Sequence, residues 1–372
     1  MRILPLALLI LAVGAPTAAA APTLGPQSYL GTRISSELDP KAEPTNRPAD
    51  VGGDPLQVQS TYVGRNAIEP TIALDKQGNA FFPASFFEDP AYGAGGHAYL
   101  MRSSDQNGSW QDIEPATSVG ADPPRDLDPW VYADPDTGRV FDIGLLVAGS
   151  YMSFSDDAGE TWTSTFLSDP GINDHQSIVT AVPPAGNPTM VPRDPAFPKI
   201  VYYCVNGVAR HGCSASRDGG VTFTSTGGSP YTGVDVDGDG FCGALTGHVQ
   251  ADGEGRLFIP SGRCGKPQIS VSEDGGVTWQ QVDVSAKVGA ADTHSEVAVD
   301  KAGNLYYLWH DNVHFLPFMA TSTDHGKSWS DPVMVAPPGV FSVNLPTIVA
   351  GEPGRVAMTW AGSTTADEEA QG

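Results

Sequence analysis

The sequence predicts an all-β fold, a six-bladed β-propeller whose blades are four-stranded antiparallel sheets. Three observations carry this. An octet of the pattern Ser-x-Asp-x-Gly-x-Thr-Trp recurs along the chain, with its Asp at positions 105, 157, 218, 274 and 324. The intervals of 52, 61, 56 and 50 residues are those of an array of one supersecondary unit. A second signal, an apolar heptad followed by Gly and a short apolar run, accompanies the octets. Finally, 43 glycines and 32 prolines in 372 residues, with charged residues at 17%, are the profile of a turn-rich β protein.

The octets read as tight turns. Their full copies are Ser155–Trp162, Ser216–Phe223, Ser272–Trp279 and Ser322–Trp329, and Ser103–Trp110 is a weaker one with Asn107 at the Gly position. Ser and Asp side chains accept hydrogen bonds from nearby backbone N–H groups, and the Gly takes a left-handed conformation. Asn is the best substitute for Gly there. The closing Trp or Phe leaves the turn to pack between neighbouring units. These Asp residues therefore read as structural.

Taken in order, the chain opens with one basic residue, an apolar run and Ala18 to Ala21, which reads as a secretory signal peptide over residues 1–21. Residues 22–54 are rich in Pro and acids without apolar periodicity and read as a mobile leader. The propeller domain is expected over 55–372. Its heptads run from Glu69 to Asp75, Asp128 to Asp134, Thr246 to Asp252, His294 to Asp300 and Leu345 to Gly351, with a degenerate copy from His175. Each unit reads as strand, tight turn, strand, connection, strand, octet turn, strand. The sixth copy has neither a third strand nor an octet, so the pattern predicts more chain beyond Gly372. The alternation in Leu56–Tyr62 suits an N-terminal strand that closes the last blade, since ring closure removes exposed edges.

Composition restricts the partners. With 43 acidic and 20 basic residues the net charge is −23, which argues against nucleic acid and anionic membrane surfaces. No segment after the leader is long and apolar enough for a membrane anchor. A secreted monomer, extracellular or periplasmic, is expected.

In such a blade the start of the first strand and the second-to-third-strand connection share one face, and the octet turns lie on the other. Around the channel mouth this collects Glu69, Asp128, His175, His248 and His294 from first strands. The connections contribute Arg210, Arg263, His310 and Asp311. A ring of ionisable groups in a concave mouth is the site to expect. Glu69, Asp128, His175, His294 and Asp311 are the candidate catalytic groups, and Arg210, Arg263, His248 and His310 the candidate substrate contacts. A transition metal held by His175, His294 and His310 with Asp128 or Asp311 is a further option. Four cysteines in an exported chain suggest two disulfides. The shared face favours Cys204–Cys213, flanking one connection, and Cys242–Cys264. Asp235, Asp237 and Asp239 alternate before Gly240 as in a calcium loop, although Thr246 stands where a bidentate acid would close it.

The octets resemble the Asp-box, or bacterial neuraminidase, repeats, and residues 60–362 resemble the sialidase superfamily of six-bladed propellers. That resemblance implies a glycoside hydrolase, or a non-catalytic propeller, acting on or recognising an extracellular glycan or glycoprotein. Sialidases place an Arg in an Arg-Ile-Pro motif on the first inner strand, one of three that clamp the substrate carboxylate. Here the stretch is Ile68-Glu69-Pro70, and a carboxylate at that place repels the sialic acid carboxylate. The family's Tyr nucleophile with its Glu partner directs attention to Tyr306, Tyr307 and Glu296.

Overall fold

The computed structural model describes residues 70–86, 97–113, 128–146, 149–168, 173–207, 210–231, 236–237, 240–241, 245–291, 295–336 and 340–363. The expected leader, signal peptide and closing strand Leu56–Tyr62 lie outside them.

Five four-stranded antiparallel sheets follow one another, each with its strands in chain order. Blade 1 comprises Ala73–Leu74, Ala80–Phe86, His97–Ser103 and Gln111–Asp112. Blade 2 is Trp130–Ala133, Val140–Leu146, Gly149–Ser155 and Thr163–Ser168, and blade 3 is Asn173–Ala181, Ile200–Gly207, Arg210–Ser216 and Thr224–Ser225. Blade 4 is Gln250–Ala251, Leu257–Ser261, Gln268–Ser272 and Gln280–Asp283. Blade 5 is Glu296–Val299, Leu305–His310, Pro317–Ser322 and Val333–Met334. The sixth sheet has two described strands, Ser342–Ala350 and Val356–Ser363. Among the described residues the six-blade expectation therefore meets five four-stranded blades and two strands of a sixth sheet.

The core is a series of slabs between successive sheets. Phe81 and Leu100 of blade 1 meet Val131 and Val140 of blade 2. Ile143 and Met152 meet Val201 and Tyr203 of blade 3, and Val179 and Tyr202 meet Val249 and Leu257 of blade 4. Phe258 and Ile269 pack on Tyr307 and Trp309 of blade 5, and Leu308 on Ile348 of the sixth sheet. The octet aromatics Trp162, Phe223, Trp279 and Trp329 close these slabs from one side, as their recurrence at the end of each turn predicts.

The octet turns repeat one hydrogen-bond pattern. In Ser155–Trp162 the Asp157 carboxylate accepts from Ser155 Oγ at 2.8 Å, Thr161 N at 2.8 Å and Thr161 Oγ1 at 2.6 Å, and Gly159 N donates to Ser155 Oγ at 2.8 Å. The indole of Trp162 donates to Gly159 O at 3.1 Å, and Trp279 and Trp329 do the same in their turns. One detail departs from the sequence reading. Two successive residues are left-handed, Ala158 at φ 57° and Gly159 at φ 91°, as in the primed turns that match strand twist.

Hydrogen bonds to the ionised form hold these carboxyls down. The Thr161 hydroxyl lowers Asp157 to about 2, and the Ser109 and Ser328 hydroxyls do the same to Asp105 and Asp324. A carboxyl depressed in the folded state stabilises above its unfolded pKa of about 4, and that stabilisation is lost as pH falls toward about 2. The difference in melting temperature between the protein and Asp157→Ala is therefore expected to be constant from about pH 7 to about pH 5 and to shrink below about pH 4. Thermal scans across that series test it, and an undiminished difference at about pH 3 would contradict it.

Cys204 and Cys213 are register partners in blade 3 and form a disulfide, with Cα atoms 4.1 Å apart. Cys264 is also disulfide-bonded, while Cys242 falls outside the described residues. No described helix is long and apolar enough to cross a membrane.

Candidate functional site at the channel mouth

First strands of successive blades lie side by side along the channel, and strand alternation points every second residue of a heptad the same way. Heptad positions one and three therefore form two tiers at the mouth. The first tier holds Asp128, His175 and Thr246. The second holds Trp130, Ser177, His248 and Glu296.

In the first tier Asp128 Oδ2 accepts the His175 backbone N–H at 3.1 Å, and His175 Nδ1 lies 2.5 Å from Thr246 O. A carbonyl only accepts, so Nδ1 carries the proton and the lone pair of the neutral ring is on Nε2. Gln176 donates to Asp128 O. His175 is itself left-handed, at φ 53°, in a bulge where the register steps from Cys204↔Ser177 to Asn206↔Asp174. An extra residue re-aims a side chain, and a non-glycine residue held at positive φ marks local strain.

In the second tier Glu296 is 6% exposed. Its Oε1 lies 2.6 Å from His248 Nδ1, and its Oε2 accepts the His248 backbone N–H at 3.3 Å. The His248 ring stacks on Trp130 at 3.8 Å between centroids and on His175 at 4.3 Å. Gly247 permits the approach of blades 4 and 5, since a Cβ there would sit 1.9 Å from Ser295 O. Thus four blades contribute one histidine–carboxylate cluster. Among the described residues, His175, His248 and Glu296 are the group whose donor atoms could share a metal ion, all within 4.8 Å of one another.

The remaining candidates have other placements. Asp311 is buried, and its carboxylate accepts the backbone N–H groups of Val313, His314 and Leu316, each at 2.8 Å. It fastens the blade 5 connection. His310 beside it is buried against Phe315, 5.6 Å between ring centroids. Arg263 is 2% exposed and lies 5.8 Å from the Tyr231 ring. Its charge, after burial, helps push the neighbouring His211 down to about 4, so that ring is neutral. The Tyr307 hydroxyl lies 2.9 Å from both Ser261 O and Gln268 O, either of which can take its one proton, and Tyr306 donates to Asp300 at 2.9 Å. Burial raises both hydroxyls above the ordinary tyrosine value, so both fasten blades and neither is poised as a nucleophile.

Glu69, His294, Asp235 and Asp239 lie outside the described residues. Arg210 and Asp237 lie in strands whose side chains there fall outside the description. The sequence reading named Asp128, His175 and His248 as neighbours around a mouth and Glu296 only as a Glu partner for Tyr306 or Tyr307; the structure places Glu296 against His248 instead. The signal was present: aligned heptads put Trp130, His248 and Glu296 at the same third position.

No family model matches the chain, and no curated protein matches it in sequence. Solved structures do match. A Hadza microbial sialidase, Hz136, aligns at TM-score 0.52 and 13% identity over 86% of this chain and 69% of the sialidase. The NanB sialidase from Streptococcus pneumoniae aligns at 0.52 and 10% identity, over 84% of this chain and 68% of that one. At these identities the likeness is one of fold, a sialidase-like propeller.

Proposed function

We propose that the protein acts on extracellular glycans at the channel mouth, as a secreted, sialidase-like glycoside hydrolase with a diverged centre. The observation that carries this is the convergence of Asp128, His175, His248 and Glu296 from blades 2 to 5. Two carboxylates and two imidazoles brought together from four blades can bind sugar hydroxyls and move protons. The two sialidase neighbours support the substrate class, and the octets read as Asp-box repeats support the same lineage. The divergence lies in charge. Glu69 replaces the family Arg, and Arg263 is sealed in the interior rather than offered to a ligand. A neutral sugar suits this mouth better than an anionic one.

A panel of fluorogenic neutral glycosides and sialosides, run beside a glycan array, tests the reading. Turnover of a neutral glycoside above any sialoside is expected. Array binding without turnover would make the protein a glycan-recognition propeller. Neither turnover nor binding would reject the proposal.

A further inference from the structure

We propose that His175, His248 and Glu296 bind a divalent transition-metal ion of the zinc class. The three come from blades 3, 4 and 5, so one ion would join three consecutive first strands at the mouth. Two imidazoles and a carboxylate are a donor set that zinc accepts with a fourth position open to water or a substrate oxygen. Calcium and magnesium prefer oxygen alone.

Further features agree with a ligand role. The His175 Nδ1–H faces Thr246 O at 2.5 Å, which sets the lone pair on Nε2. A backbone carbonyl holding the distal N–H is the usual outer support of a metal-bound histidine. His248 Nδ1 and Glu296 Oε1 already lie 2.6 Å apart, so an ion could take the place of the proton shared between these two donors. The bulge and positive φ at His175 turn this one ring toward blade 4, where it meets His248. Finally, Glu296 is a buried carboxylate in a chain of net charge −23, and a dication supplies compensating charge where it is needed. The donor atoms all lie within 4.8 Å of one another, and tetrahedral bonds of about 2 Å space donors about 3.3 Å apart, so coordination asks for a local adjustment in which the 2.6 Å His248–Glu296 contact opens.

The inference deepens the mouth reading above and rests on it only for what the metal would do. Its test uses metal alone. The full chain, dialysed against a chelator, is titrated with zinc chloride by calorimetry, and cobalt chloride is followed by visible absorption. One zinc per chain, a raised melting temperature and the visible band of tetrahedral cobalt are expected. His175→Asn, His248→Asn and Glu296→Gln should each weaken zinc binding by on the order of 100-fold. His325→Ala should leave it unchanged, since that ring lies 3.6 Å from Asp252 on the octet side. No binding heat, or equal affinity in all three variants, overturns the proposal. Should a variant fail to fold, X-ray absorption of the intact zinc-loaded protein decides, with two imidazoles per zinc expected and none overturning it. Zinc binding by an inactive protein would leave this inference standing while the glycan reading failed, and the converse holds equally.

Discussion

Glu296→Gln is expected to lower turnover of the best glycan substrate by about 10²- to 10⁴-fold, the usual contribution of a positioned acid–base group. Glutamine keeps the shape of the side chain and can still accept the His248 backbone N–H that Glu296 takes at 3.3 Å. It cannot carry charge opposite the His248 ring or exchange a proton with it. The loss should therefore fall on kcat while the far-ultraviolet spectrum and melting temperature change little. Asp311→Asn is the informative contrast. That carboxylate takes three backbone N–H groups, so its replacement should lower stability and spare the chemistry in protein that is still folded. Full activity in Glu296→Gln would remove the second tier of the mouth from the mechanism.

Trp309→Ala should destabilise the protein by about 3–5 kcal/mol, the range for deleting a large buried aromatic. Trp309 is fully buried in the slab between blades 4 and 5. Its indole donates to Gly289 O at 3.0 Å, and its ring meets Tyr307 at 5.7 Å and Phe318 at 6.0 Å. Alanine leaves a cavity between two sheets and an unpartnered carbonyl, and neither sheet can collapse without disturbing its neighbour in the ring. The urea midpoint at equal m-value measures the cost. A value below about 1 kcal/mol would show that the slabs relax freely and do not fix blade positions. Val297, the strand neighbour of Glu296, belongs to the same slab, so a relaxed blade 5 should also blunt activity.

How much was legible from residues alone divides along sequence separation. An octet turn is closed by contacts within eight residues, Asp157 to Thr161 or Trp162 to Gly159, so its recurrence carries its geometry. The same holds for the heptads and for the Cys204–Cys213 link across nine positions. Together they gave the propeller, the strand order within blades and the face that bears the mouth.

The site itself depends on longer distances. His248 and Glu296 are 48 residues apart, and His175 and Thr246 are 71. Their meeting depends on the angle between sheets, on the glycine that lets blades 4 and 5 close, and on a one-residue bulge at His175. No periodicity announces any of these. Asp311 and Tyr307 mislead in the opposite sense, because polar groups near a mouth look reactive until their backbone partners are seen. The sequence by itself determined the fold and which loops share a face, because both follow from repeated local turns. Only the tertiary structure decided which ionisable groups touch, because those contacts are made by the curvature of the ring.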